Sequence, residues 1–156
     1  MTDGETTRLV AWSQELLRVH ANLRAALAVV RDSLAEGDSS PTATRDLLLY
    51  CHGFCVALDG HHRGEDRQLF PAIAASHPDL RPVLRALQQD HSMIAYLLDG
   101  LQAAVDRSAT ATELSGHLEG VAAIMESHFR YEERQLLTIL QTLDLPASTT
   151  DALGPL

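Results

Sequence analysis

HHRGEDRQLF at residues 61–70 returns as HFRYEERQLL at residues 128–137, identical at six of ten positions and displaced by 67 residues. Each copy pairs a His with a Glu four residues on, His61 with Glu65 and His128 with Glu132. On an α-helix that spacing turns the Glu only about 40° from the His and lifts it roughly 6 Å, so imidazole and carboxylate face one space. As solvated neighbours such a pair contributes only a few tenths of a kcal/mol, little reason to repeat it. A metal ion is a stronger reason, because neutral imidazole and carboxylate suit a divalent or trivalent first-row metal. Two such pairs on facing helices bracket two ions, with the carboxylates bridging.

Two His and two Glu under-coordinate a pair of ions, and the chain offers two further imidazoles. His20 has Leu16, Leu17, Leu23 and Leu27 at −4, −3, +3 and +7; His91 has Leu84, Leu87, Ile94 and Leu98 at −7, −4, +3 and +7. Each therefore lies on the apolar stripe of its helix. One inward His is usually a core residue whose polar atoms have found partners. Four inward His, two with a Glu one turn later, are hard to obtain by packing alone.

Together His20, HHRGEDRQLFP at 61–71, Asp90-His91 and HFRYEE at 128–133 resemble the hemerythrin-like (HHE cation-binding) domain family, over about Leu9 to Leu143. The resemblance implies a single all-α domain, an up-down-up-down antiparallel four-helix bundle with a non-haem diiron centre. Position by position it implies that His20, His61, His91 and His128 are terminal iron ligands and that Glu65 and Glu132 bridge two iron ions, leaving room for an oxo or hydroxo bridge. The chain departs from the oxygen-carrying members in having Ala95 where they place a second His on the third helix. Those members also place the last carboxylate five residues after its His, so Glu133 competes with Glu132 for the bridging role. From the chemistry alone iron or manganese fits, whereas structural zinc would favour thiolates; the resemblance selects iron.

At 156 residues, 46% hydrophobic and 4% aromatic, the chain suits one helical domain with a continuous core. A net charge of −9 speaks against nucleic acid and anionic membrane as partners. Cys51 and Cys55, four apart on one helix, are poorly placed for a disulfide and read as buried thiols of a reducing compartment. With no signal-peptide pattern in MTDGETTRLV and no long apolar run, the expectation is a cytoplasmic protein, monomer or homodimer.

In order, the spacing predicts a first helix from about Thr6 to Glu36, stopped by Gly37, and a second from Pro41, capped by Ser40, to about Phe70, where Pro71 disrupts it. Pro71, Pro78 and Pro82 make an irregular corner with a short turn at Ala72–Ala75, and Asp79 caps a third helix reaching Asp106. After the polar link 107–112 a fourth helix runs to about Leu143; residues 1–145 form the bundle and 146–156 a loosely held tail. His20 to His61 is 41 residues and His91 to His128 is 37, which makes the bundle two similar hairpins. Tyr50 and His117, each eleven residues before a repeated His, are then expected to meet inside.

Of the other candidates, His62 is about 100° from His61 and is assigned to the rim, while Asp66 and Glu133 are expected to accept from ligand imidazoles. Open coordination positions leave three function classes: a binding or sensing module for O₂, NO or peroxide; an enzyme degrading peroxide or reducing NO; and an iron store or metal-stabilised interaction module. No further general acid or base and no phosphate loop points to an organic substrate, so no residue is assigned as catalytic.

Overall fold

The computed structural model describes residues 11–37 and 40–156. It is all-helical, with no strand among the described residues. Helix α1 (Trp12–Ala35) buries Trp12, Leu16, Val19, His20, Leu23, Leu27 and Val30, a stripe at spacings of three and four. Each such Leu or Val contributes about 1.5–3 kcal/mol by leaving water. The helix ends before Gly37, whose φ of +66° is strained for any other residue type. The expected start at Thr6 lies outside the described residues.

Helix α2 (Pro41–Gly64) starts as the sequence suggests: the Ser40 side chain accepts from the Ala43 N–H at 3.2 Å, and Pro41 fills the first turn. Its other end differs from expectation. The chain is not broken at Pro71 but runs through a π-helical turn, Glu65–Leu69, into α3 (Phe70–Ser76). Pro71 has no N–H to return to the carbonyl four residues earlier, and its ring crowds that carbonyl. The wider turn, in which the Phe70 N–H reaches the Glu65 carbonyl, accommodates this without ending the helix.

A 3₁₀ turn, Pro78–Leu80, precedes α4 (Arg81–Asp106). Asp79 falls inside that turn and does not cap α4, which has no side-chain cap. Helix α5 (Ala111–Leu140) is capped by Thr110, which accepts from the Glu113 N–H at 3.2 Å. It begins within the predicted link and stops three residues short of Leu143. Helix α1 packs on α2 and α5, and α4 packs on α5 and α2. This closes a ring of four long helices in which α2 and α5, the carriers of the repeat, lie across a diagonal.

Residues 146–156 are not a loose tail. They contain α6 (Thr149–Leu153), capped by Ser148, with Ala152 and Leu153 fully buried against α1, α2 and the π turn. The residues that suggested looseness are helix punctuation: Ser148 opens α6 and Gly154, at φ +89°, closes it. The backbones meet closely, since a Cβ on Gly64 would lie 2.9 Å from the Ala152 carbonyl carbon, and one on Gly154 only 2.7 Å from the His61 nitrogen.

The expected Tyr50–His117 pair is not buried. Tyr50 is 43% exposed, and His117 lies half-buried beside Gly100. Buried Cys51, Phe54, Leu58, His61 and Glu65 repeat every 3.5 residues on average. At that period eleven residues overshoot three turns by about 50°, which carries Tyr50 off the inner face. No helix among the described residues is long and apolar enough to cross a membrane.

Candidate metal centre

The inner stripes of α1, α2 with its π turn, α4 and α5 meet in a polar cluster within an otherwise apolar core. His20, His61, His62, Glu65, His91, His128 and Glu132 are each at most 5% exposed. Two groups in it can each hold a metal ion, with one ligand atom per residue and all such atoms within 4.8 Å of one another. The first is His20, His61, Glu65 and Glu132; the second is His62, Glu65, His91 and His128. Glu65 belongs to both, and Glu132 Oε2 lies 3.8 Å from His128 Nε2, so each carboxylate reaches toward both groups. The structure thus brings together all six residues named from the sequence and adds His62.

Helix geometry explains why one turn of α2 serves both groups. With His61 at 0°, His62 stands at about 100° and Glu65 at about 40°, so the carboxylate lies between two diverging imidazoles. The sequence reading placed the centre along His61 and thereby put His62 on the rim. The helix instead faces the centre between the two.

Four of the imidazoles are held from behind. Nδ1 of His20 lies 2.6 Å from Glu133 Oε2, His61 Nδ1 2.8 Å from the Leu153 carbonyl oxygen, His91 Nδ1 2.8 Å from Asp66 Oδ1 and His128 Nδ1 3.0 Å from Asp90 Oδ2. All four acceptors are oxygens, so Nδ1 carries a proton in each ring and Nε2 faces inward, where it offers a lone pair whenever the ring is neutral. Asp66 and Glu133 behave as the sequence suggested; Asp90 and the Leu153 carbonyl were not foreseen, the latter because a backbone atom 92 residues away leaves no mark in side-chain patterns. Glu133 is itself gripped by Arg24, 3.4 Å away, which also forks onto Glu126 at 2.9 and 3.1 Å. Ala95 contributes nothing polar; it lines a surface pocket with Cys55 and Leu98.

Inside the cluster, Nε2 of His20, His61 and His62 and all four oxygens of Glu65 and Glu132 are buried without a hydrogen-bond partner. His91 Nε2 and His128 Nε2, both turned inward by their carboxylates, stand 3.1 Å apart. Facing lone pairs and unpartnered carboxylate oxygens in a buried core are costly unless a cation sits among them. The electrostatics agree: burial, then the neighbouring Glu132, pushes the Glu65 carboxyl well above its ordinary value. Burial drives His61 down to about 3 and, with His91 beside it, His62 well below its usual value. Burial also opposes protonation of His20, but Glu132 at 3.0 Å and Glu133 outweigh it and raise its pKa.

A family model described as the hemerythrin HHE cation-binding domain matches residues 13–140. The chain belongs to this hemerythrin family. No curated protein and no solved structure matched it. The match spans α1 to α5 and the π turn between α2 and α3, and so includes every residue of the polar cluster. In this hemerythrin HHE domain the donor set of imidazole nitrogen and carboxylate oxygen, buried and without hydrogen-bond partners, fits metal cations.

Proposed function

We propose that this hemerythrin-family protein is an up-down-up-down bundle that holds two iron ions and binds or senses O₂, NO or peroxide there. The observation that carries the reading is the pair of four-residue groups sharing Glu65, with seven buried polar atoms left unpartnered. His20, His61, His91 and His128 would be terminal ligands, and Glu65 and Glu132 would lie between the ions. Iron would supply redox change and an open position for a small ligand. The chain's own part is to fix four of the imidazoles through their Nδ1 contacts, to keep the four carboxylate oxygens buried beside them, and to cover the cluster with the Phe129 ring. The buried free thiols Cys51 and Cys55 support a reducing, cytoplasmic setting.

Elemental analysis with an optical spectrum, on protein expressed in iron-supplemented medium, tests this directly. The expected result is about two irons per chain and a near-ultraviolet charge-transfer band, both lost in His61→Ala and His128→Ala. Protein without iron, or alanine variants that keep it, would overturn the reading. A reversible spectral change on adding O₂ or NO to the reduced protein supports a binding role. Steady gas evolution from peroxide would make it an enzyme instead.

A further inference from the structure

We infer that His62 is a fifth imidazole ligand and that it makes the two metal positions chemically unequal. This rests on the two-ion reading above and goes beyond its six ligands. The internal repeat sets up the comparison. His61 and His62 on α2 and Glu65 at the start of the π turn correspond to His128, Phe129 and Glu132 on α5, and His20 on α1 corresponds to His91 on α4. Contacts follow the same correspondence: Phe129 stacks on His20 at 3.8 Å and 5°, and His62 stacks on His91 at 3.9 Å and 13°. Position 62 is therefore a stacking position, one that its counterpart fills with a hydrocarbon ring.

If stacking were the whole role, Phe would do at both places. His62 instead carries a nitrogen, Nε2, that is buried and lacks a hydrogen-bond partner. A ligand atom of His62 lies within 4.8 Å of those of Glu65, His91 and His128. Its ring also meets His128 edge-on at 5.1 Å, so it closes the group from the α2 side. Ala95, one turn beyond His91 on α4, cannot add a nitrogen to that group. The missing donor comes from the neighbouring helix.

One position then has three imidazoles and the other two, while Glu65 belongs to both groups and Glu132, in the two-imidazole group, reaches toward His128 of the other. The position with three imidazoles favours late first-row divalent ions more strongly than the one with two. The two ions should accordingly bind in order.

The test is anaerobic titration of metal-free full chain with Co²⁺, read by visible d–d bands and by equilibrium dialysis, on wild type and His62→Phe. The variant copies the ring that the other half of the repeat already uses, so it keeps the stack and removes only the nitrogen. Wild type should take up about two equivalents in two resolvable steps, and His62→Phe should lose or weaken one of them by about tenfold or more, with altered d–d bands. Two equivalents bound to His62→Phe with wild-type affinities and spectra would overturn the inference and leave the two-ion reading intact. Wild type that binds no metal would remove both. Helicity by circular dichroism checks the fold, and His62→Gln, polar but without an imidazole, replaces His62→Phe should that variant fail to fold.

Discussion

His61 Nδ1 donates to the Leu153 carbonyl oxygen across 2.8 Å, tying α6 to the buried His/Glu cluster. The contact is buried, and it is made possible by two glycines: Gly64 lets the Ala152 backbone close in, and Gly154 turns the chain beside His61. The end of the chain therefore fixes the orientation of a side chain that the fold delivers from α2.

From this we expect Gly64→Ala to lift α6, because the new Cβ would press on backbone at 2.9 Å, not on a yielding side chain. Contacts of this kind behind a ligand His change metal affinity by about 10- to 100-fold. Faster iron release to a chelator, with helicity retained, is the expected outcome. Release at the wild-type rate would mean that His61 needs no support from the tail.

Asp90 accepts from His128 Nδ1 at 3.0 Å while its own side chain is partly exposed, so it can be removed with little damage to packing. Asp90→Ala should weaken metal binding by about tenfold or more and leave the melting temperature of the metal-free protein within a few degrees of wild type. A calorimetric titration beside a thermal melt separates the two effects.

The metal-free protein should lose stability as pH falls from 6.5 toward 4.5. Burial depresses His61, His62 and His128 below the ordinary imidazole value of 6.5. Below 6.5 the unfolded chain takes up protons at these three sites that the folded chain refuses, which favours unfolding. Glu65 works the other way, since its raised pKa means that the folded form binds a proton in this range that the unfolded form has released. His20, raised above 6.5, is protonated in both states there and contributes little to the slope. Three imidazoles outweigh one carboxyl, so urea midpoints should drop between pH 6.5 and 5. A flat or inverted profile would show that the imidazoles gain solvent when the metal is absent.

Burial raises the Cys51 thiol to about 11 and the Cys55 thiol to about 12, the latter with further help from Cys51, Asp99 and Asp59. Few thiolates exist at neutral pH, and the thiolate is the reactive form. Both cysteines should resist a thiol reagent in the native protein and react promptly in denaturant. Fast native labelling would contradict the burial.

Much of the fold and most of the cluster were legible along the chain, because helical spacing is local. The four-residue step from His61 to Glu65 and from His128 to Glu132, and the leucines flanking His20 and His91, fix relative angle and height within a single helix. The acceptor roles of Asp66 and Glu133 followed from the same rule. Asp79 as a cap and Tyr50 as an inward residue failed, since the first depended on where a proline-rich corner turns and the second on a helical period that packing sets.

By itself, then, the sequence determined an all-helical chain with six inward donors in a repeated pattern, since each of those facts is a property of one helix at a time. Only the tertiary structure decided that α2 faces the centre midway between His61 and His62, that a π turn just before Pro71 carries the helix on, and that the Leu153 carbonyl backs His61. Those outcomes depend on how helices are rotated against one another and on backbone atoms far apart in sequence, and no residue spacing encodes either.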